Sequence, residues 1–159
     1  MANKRRLPLV PQSSAPPEEG ESRPAWHWVG FGAVAIFIVW LPLAYVASAI
    51  GRKLVVGKIG GGEVALADLP RSTRLEVLAL LAVPHALALV LAGLAGGFLV
   101  TRFGDGTTRR DAAFAGLAVG VLALGLTYAQ VGLSLAVLVV PVLATASAAF
   151  GGFLGKKRA

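Results

Sequence analysis

All eight acidic residues of this chain, Glu18, Glu19, Glu21, Glu63, Asp68, Glu76, Asp105 and Asp111, stand outside the cores of four long apolar runs. The runs cover residues 26–50, 75–100, 112–128 and 133–153. A helix needs about 20 apolar residues to cross the hydrocarbon core of a bilayer, and each run meets or approaches that length. A soluble domain has about a quarter of its residues charged. Here 14% are charged and 56% hydrophobic, too little polar surface to cover an apolar core. A bilayer is the natural solvent. The expected fold class is therefore all-α: a polytopic membrane protein built as a four-transmembrane-helix bundle.

Residues 1–25 hold five of the nine prolines and three of the eight acids. They predict a disordered cytoplasmic tail, followed by a transmembrane domain over 26–155 and a basic tail at 156–159. Arg5, Pro8 and Pro11 match a pattern that polyproline-binding domains read, but in so proline-rich a tail they read as a solvated leader. The net charge of +7 comes from fifteen Lys and Arg confined to tails and loops. No basic stretch is interleaved with aromatics, so nucleic acid is not an expected partner. Cysteine is absent, which excludes disulfides, thiolate catalysis and Cys-ligated metals.

Orientation follows from the basic residues flanking the spans. Lys4, Arg5, Arg6, Arg23, Arg102, Arg109, Arg110, Lys156, Lys157 and Arg158 fall on one side. Arg52, Lys53, Lys58, Arg71 and Arg74 fall on the other. The imbalance predicts a multi-pass protein of the bacterial inner (cytoplasmic) membrane with both termini in the cytoplasm. Ala47-Ser48-Ala49 resembles a signal-peptidase site, yet the apolar run before it is longer than a signal peptide's and begins far from the N-terminus. The first segment reads as a retained helix.

Thr73 with Glu76, and Thr108 with Asp111, fit the capping-box pattern and predict the starts of the second and third helices. Residues 54–69 suggest a small hairpin around Gly60-Gly61-Gly62. Gly57-Lys58 does not make a phosphate loop, because Ile59 replaces the required Ser or Thr. The short link around Gln130-Val131-Gly132 makes the third and fourth helices antiparallel neighbours.

Helices in lipid associate through close packing and interhelical hydrogen bonds, so small residues mark contacts. Ala88, Ala92 and Gly96 recur on the second helix, with Gly93 and Gly97 beside them. Ala112, Gly116 and Gly120 line the third. Ser147, Gly151 and Gly155, flanked by Ala144, Ala148 and Gly152, line the fourth. The first has only the short pairs Ala44–Ser48 and Ala47–Gly51. Helices two to four are expected to form the tight unit, with the first packed more loosely.

The junction GGFLVTRFGDGTTRRDAAFAG, residues 96–116, resembles that of small uncharacterised four-span bacterial integral membrane proteins. In these a glycine-rich helix end leads through a basic turn into a small-residue helix. Gly97, Arg102, Gly104 and Arg109-Arg110 also resemble the cytoplasmic loop between helices two and three of major facilitator transporters. Thr101 stands where those have aspartate, and 159 residues are far fewer than such a transporter needs. The resemblance implies a four-span fold and no activity.

One ionisable residue interrupts the apolar stretch 77–99: His85, directly after Pro84. Pro42, Pro84 and Pro141 interrupt three of the four helices, and each frees a carbonyl four residues earlier: Ile38, Leu80 and Val137. Counted from the helix ends, all three fall at one depth. They suggest a polar layer in which neutral His85 donates to a freed carbonyl or a trapped water. Nucleophilic catalysis needs a nucleophile, a base and an orienting group. Ser48, Ser134, Ser147 and Thr145 have only His27 and His85 as bases. The two histidines stand too far apart in depth to share a metal, and no cofactor is expected. The leading expectation is a non-enzymatic accessory, scaffold or assembly component acting through helix packing. Its partners are lipid and other membrane proteins or copies of itself. The alternative is a subunit of a small oligomeric transporter or channel using the layer around His85.

Overall fold

The computed structural model describes residues 24–60, 68–131 and 138–156. These form four helices: α1 (Ala25–Ile59), α2 (Arg71–Phe103), α3 (Arg109–Val131) and α4 (Val139–Gly155). The N-terminal tail, the glycine loop at 61–67, the link at 132–137 and the last three residues lie outside the described residues. The readings made of those segments lie there too. Among the described residues, α1 and α2 are long and apolar enough to cross a membrane, and α4 is a shorter apolar helix.

The helices alternate in direction. Gly32 of α1 faces Val100 of α2 and Ala115 of α3, and Gly155 of α4 faces Phe98 and Thr101 of α2. The start of α1 and the end of α4 thus share one end of the bundle, called basal below. At the other, distal end Gly51 lies against Leu80 and Leu81, and Lys58 pairs with Glu76 at 2.8 Å. The Glu76 carboxylate, by its hydrogen bond and then its charge, holds the Lys58 ammonium above the ordinary lysine range.

Two local readings are corrected. Residues 54–59 are the last turns of α1 and not the first strand of a hairpin. Lys53, Leu54 and Lys58 are good helix formers, and Gly57 alone does not stop the helix. Gly60, at φ 75°, follows its last residue. Thr73 and Glu76 do not form a cap either. Pro70 is the N-cap of α2 and makes no side-chain cap bond, which places Thr73 inside the helix. Proline suits a helix start because its φ is fixed near the helical value and its missing N–H forfeits no helix bond there. Glu76 is left to pair with Lys58.

The Thr108–Asp111 box does form. The Asp111 carboxylate accepts from the Thr108 backbone N–H at 2.7 Å, while the Arg110 N–H donates to the Thr108 hydroxyl at 3.2 Å. Nearby, the Arg109 guanidinium lies 5.9 Å from the Phe153 ring centre, joining the start of α3 to the end of α4.

The interior is backbone against backbone. Gly97 lies on the backbone of Ala148, Gly151 on that of Leu94, and Gly116 on the carbonyl of Ala144. Gly93 meets Ser147, Gly120 meets Pro141, and Gly155 meets Phe98 and Thr101. Thr101 adds a polar tie, its hydroxyl donating to the Gly152 carbonyl at 2.9 Å. The first helix is not the loose one. It lies along α2 from Gly32 to Lys58, with Ile36 wedged over Gly96. Counting small residues on α1 alone misses this, since a large residue on one helix fits the hole that a glycine leaves on its neighbour.

Candidate functional site

Ser48 is the only Ser or Thr in residues 26–50, and His85 is the only ionisable residue in 77–99. The antiparallel register of α1 and α2 brings them together. Ser48 Oγ lies 3.0 Å from His85 Nε2, bridging 37 residues of sequence. Both side chains are half-buried. Ser48 Oγ also lies 2.9 Å from the Ala44 carbonyl, and His85 Nδ1 lies 2.8 Å from the Leu81 carbonyl. One turn further along α1, Arg52 Nε donates to the Ser48 carbonyl at 3.3 Å.

His85 therefore serves a backbone carbonyl, but not the one that Pro84 frees. That carbonyl, Leu80, faces Gly51, where an added Cβ would sit 3.4 Å from the oxygen. A Cβ at position 51 would make ordinary van der Waals contact there, so α1 packs against this part of α2 without requiring glycine. The prolines expected to share a layer take different places. Pro84 adjoins His85 in α2. Pro42 is exposed and lies six residues before Ser48, about 9 Å away along the helix. Pro141 seats against Gly120 of α3, and its freed carbonyl at Val137 lies outside the described residues. In place of a proline layer, one serine stands beside the histidine.

Ser48 stands two residues before the end of its apolar run on α1, and His85 ten residues after the start of its run on α2. His27 is at the basal end, beside Trp28, Phe31, Leu99 and Phe103. Among the described residues, no group of three or more His, Asp or Glu could hold a metal.

A carbonyl accepts only, so the Leu81 contact places a hydrogen on His85 Nδ1. The neutral ring then has a bare Nε2 aimed at Ser48, a nucleophile–base distance with an oriented base. The same hydroxyl is within bonding distance of the Ala44 carbonyl, so its hydrogen has two claimants. Acyl transfer further requires donors about 3 Å from a developing oxyanion. Ser48 sits mid-helix, where its own N–H belongs to the helix ladder. No family model, curated protein or solved structure matches the chain, so any reading of this site rests on its geometry.

Proposed function

We propose that the chain is a four-span integral protein of a bacterial inner membrane, acting as a non-enzymatic accessory, scaffold or assembly component through helix contacts. The observation behind this reading is where the large side chains go. The largest fully buried ones are only Ile36, Val77, Val100 and Val119, and most other buried positions are Gly or Ala. Ile38, Leu41, Leu91, Leu122 and Val142 are more than half exposed. The core helix of a soluble protein is mostly buried. Only 11% of the most apolar window of α1 and 28% of that of α2 is buried. Water would meet a continuous apolar surface here, far beyond the few hundred Å² that soluble monomers usually show. Lipid solvates it.

The orientation with both termini in the cytoplasm is supported by the ten basic residues assigned to the basal side. It agrees with the basal position shared by the start of α1 and the end of α4. Reporter fusions after residue 159 and near Gly61 should signal cytoplasmic and periplasmic locations respectively. A periplasmic signal from the C-terminal fusion overturns the orientation.

Backbone-close packing supports a role carried by helix contacts, since small residues are what let membrane helices approach one another, and in this chain they are spent on its own four helices. Purification of the tagged chain from native membranes should recover a stoichiometric membrane partner or a homo-oligomer without transport activity. The transport alternative is supported by one observation, the polar His85–Ser48 contact between two apolar helices. Solute movement in liposomes, lost in His85→Ala, would favour it.

A further inference from the structure

We propose that Ser48 and His85 form a proton-binding site at the distal end of the α1–α2 interface, where uptake of one proton reverses the hydrogen bond joining the two helices. The inference rests on the pair itself and is independent of the assembly role.

It follows from a count of hydrogens. Three contacts are in place: Ser48 Oγ to the Ala44 carbonyl, Ser48 Oγ to His85 Nε2, and His85 Nδ1 to the Leu81 carbonyl. Each needs one hydrogen, and the two carbonyls can supply none. A serine hydroxyl and a neutral imidazole together carry two. With Nδ1–H held by Leu81, the Ser48 hydrogen must choose between Nε2 and Ala44. An imidazolium carries a second ring hydrogen, and all three contacts are then served. Nε2–H donates to Ser48 Oγ, and the Ser48 hydroxyl donates to Ala44. The added proton sits on Nε2. Its bond across the interface becomes charge-assisted, roughly twice as strong as the neutral one.

The surroundings define what answers the charge. Tyr45, Arg52, Lys53 and Lys58 are the titratable or cationic groups on this part of α1, and Arg74 and Glu76 those on α2. Glu76 is nine residues from His85 and is paired to Lys58. On α3 the groups are Tyr128 and, at the basal end, Arg109, Arg110 and Asp111; α4 carries none between 139 and 155. No carboxylate stands within two turns of His85 along α2. Hydrogen bonds and carbonyl dipoles, not a counter-ion, receive the proton's charge. Arg52, exposed and one turn from Ser48, is the charged residue nearest to Ser48 along α1.

The test uses the full chain in detergent micelles with ¹⁵N-labelled histidine, the exposed His27 serving as reference and His85→Gln giving the assignment. Between about pH 9 and pH 4, His85 should pass from a form with hydrogen on Nδ1 alone to one with hydrogen on both nitrogens. A neutral form with its hydrogen on Nε2, or no change of protonation across the range, overturns the proposal. Ser48→Ala supplies a second readout. The Nε2 proton of the doubly protonated ring should exchange slowly with solvent in wild type and faster in Ser48→Ala, which lacks the acceptor. Equal exchange in the two overturns the reversed bond.

Discussion

Gly97→Ala should lower the thermal midpoint of the purified protein by on the order of 5–10 °C, and Gly97→Leu should leave little folded material. A Cβ at Gly97 falls on the carbonyl oxygen, carbonyl carbon and Cα of Ala148. Those are backbone atoms, and no rotamer change can move them aside. Overpacking of this kind costs roughly 1–3 kcal/mol, a large share of a marginal stability. Gly151→Ala should behave alike, because its Cβ meets the backbone of Leu94. Gly116→Leu and Gly120→Leu should also fail, since even a Cβ would lie 2.5 Å from the Ala144 oxygen and 2.6 Å from Pro141 Cα respectively. Gly93→Ala is expected to be milder, because its nearest neighbour is the Ser147 hydroxyl, the end of a rotatable side chain. Gly125 is the reference, with nothing within 4 Å of an added Cβ. There alanine should stabilise, by about 0.5–1 kcal/mol, through helix propensity. One substitution thus has opposite signs at two sites of the same bundle. A similar loss at Gly97 and Gly125 would mean that the α2–α4 contact is not as close as described.

Ile38→Lys and Leu91→Lys should each cut the fraction of correctly inserted, folded chain in lipid bilayers about tenfold or more. Both residues lie midway along apolar runs, and both face outward, at 66% and 54% exposed. On a water-solvated surface such a change stays within about 0.5 kcal/mol. At the centre of a bilayer a lysine costs roughly 2.5–3.5 kcal/mol. Leu54→Lys is the matched control, because Leu54 is 46% exposed and stands between Lys53 and Lys58 at the distal end. It should insert normally. Wild-type behaviour of Ile38→Lys and Leu91→Lys in bilayers would defeat the membrane reading.

Much of the packing was legible in the sequence, because small residues at four-residue spacing have one physical use on an apolar helix. The stripes through Gly93–Gly97, Gly116–Gly120 and Gly151–Gly155 are where helices meet. The Thr108–Asp111 box was legible because both members of a cap lie within one turn. The length of α1 was not. Reading hydropathy ends a helix where charge begins, whereas backbone hydrogen bonding continues through Arg52, Lys53 and Lys58. Thr73–Glu76 misled because its spacing recurs inside helices, and the proline at position 70 was the better start signal.

The site was half legible. His85 stands out as the lone ionisable residue in its run, but its partner had to be found across 37 residues. Placing three prolines at one depth assumed that helix ends line up. The long α1 breaks that assumption by carrying Ser48, not Pro42, to the level of His85. A usable signal was present. The first apolar run holds one small hydroxyl, Ser48, and the second one imidazole, His85, and both groups are suited to an interhelical bond between antiparallel neighbours.

The seat that α2 offers to α4 has a consequence for synthesis. Thr101 and the Gly152 carbonyl it binds are separated by 51 residues. A ribosome adding about 5–20 residues per second needs on the order of 3–10 s to deliver the second after the first. During that interval the α1–α2 pair is already complete, while the glycine face of α2 has no occupant. Any small-residue helix already in the bilayer competes for it then, at a stage when the chain's own last helix does not yet exist. Under the proposed assembly role, attachment of a partner to this face is therefore easiest while the protein is being born, and a finished bundle closes that window on itself.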